Sequence, residues 1–218
     1  GCVEYISHMG SDVTVVNSAR VSFGKNVSTL SGSDVKLIKY LIKNRHTSTL
    51  EHNVVTFRFK VPLFIRSQHH RHRTWSYNEI SRRYTDVNLE FYEPDEFRKQ
   101  SSSNRQASVD EYINPIFPVA KGITNIHHVA SRRLKSFHRE AVNLYNNLIE
   151  HGVCREQARG VLPQNLYTEY YGTVNLNNLF KFIDLRTHKG AQWEIQQVAQ
   201  ACLDLSLIHI SEPTRRTP

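Results

Sequence analysis

The chain is poor in cysteine, has no CxxC pair and carries no long apolar run, and each shortage removes a class of protein. Its three cysteines, Cys2, Cys154 and Cys202, are odd in number. That argues against a disulfide framework and fits a reducing, cytoplasmic setting. Cys154, within Gly152-Val153-Cys154-Arg155-Glu156, reads as a small helix-end residue rather than a nucleophile. No apolar stretch approaches the roughly 20 residues that cross a bilayer, so no membrane partner is expected. The opening residues Gly1-Cys2-Val3-Glu4-Tyr5 lack the basic-then-apolar order of a secretory leader, and an initiator methionine. Acidic side chains are the minority, 20 against 28 Lys and Arg, for a formal net charge of +8. Such an excess suits nucleic acid, an anionic surface or phosphorylated small molecules, and does not choose among them.

What is present fits a folded domain. With 218 residues, 39% hydrophobic, the chain can bury a core without disulfide or metal staples. A short strand is expected at Val3–Ile6, then a helix capped by Asp12 and running to about Val21. Val35, Leu37, Ile38, Leu41 and Ile42 form one apolar stripe of a helix over 33–44. Residues 55–61 alternate with period two, as a half-buried strand does, and Pro62 opens the next helix. Residues 95–126 hold three consecutive serines and scattered prolines and read as an irregular insertion with one helical turn. A long amphipathic helix follows from about His127 to Glu150 and stops near Gly152. Residues 155–160 read as a short helix, 167–174 as strand, and 175–185 and 191–205 as helices. Helices and strands mix without regular βαβ spacing, which predicts an α+β class. The segment from Leu205 to Arg215 matches the translation of a transposon-end adapter. The domain is therefore taken as 1–205, and 206–218 as a non-native tail.

The densest polar cluster runs from Gln68 to Arg83: Gln68-His69-His70-Arg71-His72-Arg73, then Trp75, Tyr77, Glu79, Arg82 and Arg83. Arginine forks match phosphate oxygens two at a time, and Glu79 can hold neighbouring arginines in fixed rotamers. Three readings compete. A solvated basic face is the plainest. A metal site is second, but the spacing of His69, His70 and His72 is poor and no nearby cysteine or aspartate completes a set, so no metal is expected. A nucleic-acid patch with Trp75 and Tyr77 as stacking rings is third; it predicts steeply salt-dependent binding.

The order of residues favours a fourth. Arg71-His72-Arg73, Ser76, Asn78, Glu79, Ser81 and Arg83 fill every fixed position of RHRxxSxNExSxR, and the chain resembles the flavin-dependent thymidylate synthases. Further segments look like the family in order: Ala19–Phe23, His46-Thr47-Ser48 with Glu51-His52, Ala158-Arg159 with Leu162-Pro163, and Leu185-Arg186 with Ala191–Ile195.

The resemblance implies an α+β fold assembled as a homotetramer with shared active sites. It implies methylation of dUMP to dTMP, with FAD as cofactor and methylenetetrahydrofolate and NADPH as co-substrates, and no specific nucleic-acid partner. Cofactor contacts carried over by position are Ser48, Arg71, His72, Arg73, Glu79, Asn175, Leu176, Asn177 and Lys181, with Ser48 and Glu79 serving across a subunit boundary. The nucleotide would draw on Gln68, His69, His70, Arg71, Glu79, Ile80, Ser81, Arg82, Arg83, Arg159 and Arg186. Arg186 is the implied catalytic residue, its guanidinium favouring the ionised uracil ring. Two positions depart from the pattern: Lys181 stands where an asparagine is expected, and Gly190 where some relatives carry a histidine.

Overall fold

The computed structural model describes residues 1–85, 89–118 and 127–209. In chain order the elements are β1 (Cys2–Met9), α1 (Asp12–Arg20), α2 (Gly32–Lys43), β2 (Val54–Pro62), α3 (Leu63–His69) and β3 (Ser76–Glu79). There follow β4 (Phe97–Gln100), β5 (Ser108–Ile113), β6 (Ile116–Pro118), β7 (His127–Val129) and α4 (Ala130–Glu150). The chain continues with α5 (Arg155–Ala158), β8 (Tyr167–Asn175), α6 (Leu176–Thr187) and α7 (Trp193–His209). This mixture of helices and a small antiparallel sheet is the α+β class that the pattern predicts. No helix among the described residues is long and apolar enough to cross a membrane.

Contacts group the chain into two compact units. The first comprises Lys60–Ser67 and Glu79–Glu169 with Gly1; the second comprises Cys2–Phe59, Gln68–Asn78 and the chain from Tyr170 onward.

The second unit is built on a four-stranded sheet in the order β1-β2-β8-β3. The alternation in β2 is literal: Val55, Phe57 and Phe59 are buried while the residues between them are not. β8 answers with Tyr170 and Val174 on its buried face. On the other face Thr56 and Thr173 share a hydroxyl hydrogen bond of 2.9 Å, a cross-strand pair of the kind that fixes register. Gly172 has no substitute there, because a Cβ would stand 2.8 Å from the Phe59 ring. α1 begins with Ser11 as its cap rather than Asp12: the Ser11 N–H donates to the Thr14 hydroxyl at 3.1 Å, and Asp12 becomes the first-turn acid that favours the helix dipole. In α2, Ser31 and Asp34 form a capping box, and Asp34 also receives Arg20. α6 and α7 pack on one another. The last helix runs on to His209; of the expected non-native tail, residues 210–218 lie outside the described residues.

In the first unit the stretch 95–126 is not the irregular insertion that its composition suggests. β4 and β5 pair antiparallel with Phe97 opposite Ile113, and β6 pairs with β7. Most β5 side chains are exposed. A ribbon with neither face buried leaves no period-two pattern in the sequence, which is why composition misled. Residues 119–126 of that stretch are outside the described part. α4 starts at Ala130, three residues later than expected, because His127–Val129 pairs as β7. It ends where Gly152 takes a left-handed φ of 85° and the Val153 N–H donates back to the Leu148 carbonyl at 2.9 Å.

Candidate active site

Two clefts with charged walls, one in each unit, share the signature among the described residues. The cleft of the first unit, about 500 Å³, is lined by α3, the end of β3 and the turn beyond it, the short helix at Arg159 and the start of β8. Its charged walls are Arg66, Glu79, Arg82, Glu156 and Arg159, with Ile80, Ser81 and Tyr167 between them. Glu79 accepts from Arg66 Nε at 3.0 Å and Nη2 at 2.8 Å, and from the Thr168 hydroxyl at 2.6 Å. Glu79 is expected to hold two neighbouring arginines of the cluster; it holds Arg66, which lies outside that cluster and the signature. The pair is local to the cleft yet 13 residues apart in sequence, so no spacing rule points to it. Arg82 Nη2 donates to the Tyr167 carbonyl at 3.3 Å. Arg83 is half exposed, 3.5 Å from Glu156. The N–H groups of Tyr84 and Thr85 both donate to the Ser81 carbonyl, closing a tight turn that presents the Ser81 side chain at the cleft.

The cleft of the second unit, about 550 Å³, is lined by Arg71, His72, Arg73, Thr74, Asn178, Lys181, Leu185 and Arg186. Four of these side chains are cations and none is acidic. Thr74 holds a left-handed φ of 62°, which turns the chain back after the Arg-His-Arg run. α6 presents Phe182 and Arg186 one turn apart on the same face. Arg186 Nε donates to His72 Nε2 at 2.9 Å, and the Phe182 ring meets the imidazole edge-on at 4.9 Å. Burial, and next the Arg186 charge, lower the His72 pKa to about 4. Burial also lowers that of Arg186. The imidazole is therefore neutral at physiological pH, and acceptance at Nε2 requires its proton on Nδ1.

Several expected ligand residues have other work. His69 is 0% exposed. It is enclosed by Phe59, Trp75 and Phe182 with its Nδ1 2.7 Å from the Tyr170 hydroxyl. Burial first, then His70, His72 and Arg186, hold its pKa well below the usual range. It is a core residue, and the signal was available: His69 follows Ile65 by one helical turn, and Ile65 is also buried. His70 stacks on Tyr77 at 3.9 Å. Gln68 donates to Gln192 at 2.5 Å. Trp75, only 9% exposed, belongs to the same aromatic core and is no open stacking ring. Asn175 is the N-cap of α6, accepting from the Asn178 N–H at 3.0 Å. Leu176 is buried, and Asn177 donates to Glu51 at 2.7 Å. Ser48 is exposed on a single helical turn, Thr47–Leu50. None of these eight residues lines either cleft. Gly190, the second departure, donates its N–H to His188 Nδ1 at 3.0 Å.

Residues 4–207 match the family described as thymidylate synthase complementing protein. The chain is 43% identical over 205 residues to a flavin-dependent thymidylate synthase of Thermus thermophilus, covering 94% of this chain and 71% of the relative. It is 41% identical over 201 residues to one of Thermotoga neapolitana, covering 92% and 83%. Among solved structures it is similar to a UMP/dUMP methylase of Streptomyces cacaoi bound with 5-Br dUMP, at TM-score 0.78 and 31% identity, covering 97% of this chain and 91% of that one. The chain thus belongs to the flavin-dependent thymidylate synthases, a family of methyltransferase enzymes.

Proposed function

We propose that this chain methylates dUMP to dTMP, taking the one-carbon unit from methylenetetrahydrofolate and using FAD that NADPH reduces. All of these molecules are anions, and both clefts offer arginines to them. The volumes fall in the range of about 300–1,000 Å³ usual for ligand pockets. The second cleft fits a flavin dinucleotide in its donor set: Arg71, Arg73 and Lys181 supply charge for a diphosphate, and Asn178 an amide for a ring edge or ribose. When bound, the flavin supplies the hydride that completes the methyl group. Lys181 in place of an asparagine strengthens the attraction for phosphate rather than removing a contact.

In the first cleft Arg82, Arg159 and Ser81 are the donors for a nucleotide phosphate, while the Glu79 carboxylate keeps Arg66 in one rotamer. Arg186 is the catalytic residue. In the shared site of the assembled tetramer, its guanidinium stabilises negative charge on the uracil of a nucleotide held by a neighbouring protomer's first cleft, as the ring becomes reactive at C5–C6. A lysine could not reproduce that planar contact. No cysteine nucleophile is assigned; Cys202 is buried, which pushes its thiol pKa up and leaves it inert. Ser48, exposed on its turn, serves the cleft of a neighbouring protomer, so that a homotetramer in the cytoplasm completes each site.

The observation that carries this reading is the Arg186–His72 hydrogen bond at the wall of a cleft with four cations and no acid. The test is to supply purified protein with dUMP, methylenetetrahydrofolate, FAD and NADPH, and to follow dTMP by chromatography. Product that vanishes on omission of dUMP, FAD or the folate is expected. Product formed without flavin, or none from folded and assembled protein, would overturn the proposal.

A further inference from the structure

Arg186 reaches the cleft from the last turn of α6, where an arginine side chain ordinarily samples many rotamers. What limits it here is a single acceptor. Nε donates to His72 Nε2 at 2.9 Å, so the guanidinium plane is tied at its inner edge and both terminal nitrogens are left for a ligand. The acceptor is itself fixed from two directions. The backbone N–H of His72 donates to the His69 carbonyl at 3.0 Å, which holds the main chain beneath the ring, and the Phe182 ring meets the imidazole at an interplanar angle of 88°. Phe182 lies one helical turn before Arg186, so one face of α6 both shapes the imidazole's seat and presents the side chain that it receives.

We propose that His72 is a positioning residue for Arg186: a neutral imidazole, protonated on Nδ1, whose Nε2 holds the guanidinium in the orientation that faces the substrate base. The inference rests on the assignment of Arg186 above. The surroundings keep His72 in the accepting form. Its charged neighbours in the cleft are Arg71, Arg73, Lys181 and Arg186, all cations, and its neighbour beneath is the buried His69. Protonation would place a donor against a donor and a charge among like charges. A contact of His72 with the flavin alone would not need Nε2 to accept from Arg186.

The chemistry picks out a discriminating pair of variants. Glutamine carries its carbonyl oxygen about as far along the side chain as Nε2, whereas asparagine carries it only as far as Nδ1. His72→Gln retains an acceptor for Arg186, and His72→Asn, equally polar and smaller, does not. In flavin-loaded holoprotein, His72→Asn is expected to lower kcat by roughly tenfold to a hundredfold, the worth of one charge-assisted hydrogen bond. His72→Gln should recover most of it. The same pair is then made in an Arg186→Lys background, which has no Nε to hold. There the difference between Gln and Asn should disappear. Equilibrium dUMP affinity by calorimetry repeats the cycle without turnover, so a failed assay of dTMP formation and a failed positioning role give different results. Equal behaviour of Gln and Asn with Arg186 present, or an unchanged gap in the lysine background, would overturn the proposal.

Discussion

Replacing Glu79 by glutamine should cost stability through Arg66, and the magnitude follows from the geometry. Glu79 accepts four contacts on two oxygens: Arg66 Nε reaches both at 3.0 Å, Nη2 reaches one at 2.8 Å, and the Thr168 hydroxyl the other at 2.6 Å. Glutamine keeps one oxygen and places an NH₂ where the other stood, so at least one donor of Arg66 or Thr168 faces another donor. A hydrogen bond to a charged partner is worth about 1.5–3 kcal/mol. The side chains are 34% and 21% exposed, which moves the expectation to the lower half, roughly 1.5–2 kcal/mol. For a chain of this length that lowers the melting temperature by about 3–8 °C. Scanning calorimetry on wild type, Glu79→Gln, Arg66→Ala and the double variant supplies the assay. The double variant should lose little more than either single one, because both break the same contact. A shift under about one degree, or losses that simply add, would refute the idea that this carboxylate is an anchor for Arg66.

Other outcomes follow from the same contacts. Asn175→Ala removes the α6 cap and should cost roughly 0.5–2 kcal/mol in thermal unfolding, with Asn175→Asp restoring most of it; an unchanged melt would contradict the capping role. His69 and His72 both have pKa values below the unfolded value of 6.5, that of His72 being about 4. The folded chain therefore binds fewer protons than the unfolded chain between those values. Stability is full above pH 6.5 and declines as pH falls toward about 4; a flat denaturant midpoint across that window would count against neutral buried imidazoles. Arg159→Gln should weaken dUMP binding roughly tenfold or more while leaving deoxyuridine unaffected; equal losses for nucleotide and nucleoside would remove Arg159 from the phosphate contact.

How much was legible in the sequence depended on whether a local pattern carried the information. The alternation through Val55, Phe57, Phe59 and Val61 defines β2 because one face is buried and the period of a strand is two. The order of residues at Arg71–Arg83 pointed to the family, and five of its fixed positions, Arg71, His72, Arg73, Glu79 and Ser81, line the two clefts. The resemblance carried His69 into the nucleotide set, yet its neighbours in space are Phe59, Trp75 and Phe182. The turn spacing from Ile65 was the better guide. Asn175 likewise sits directly before an apolar helical run, and its cap was readable from that position alone. Arg66 and Thr168 were not legible: their tie to Glu79 spans 13 and 89 residues, and only the fold brings them together. The β4–β5 ribbon escaped for a different reason, since exposed strands need no pattern.

The most direct test of the central claim, that the Arg186 cleft performs the chemistry, is Arg186→Ala measured for flavin content and dTMP formation on the same preparation. The account predicts a protein that keeps its flavin, because Arg71, Arg73 and Lys181 remain in the cleft, while turnover falls by two orders of magnitude or so, as for removal of one preorganised charge-stabilising donor. Full turnover in that variant would contradict it.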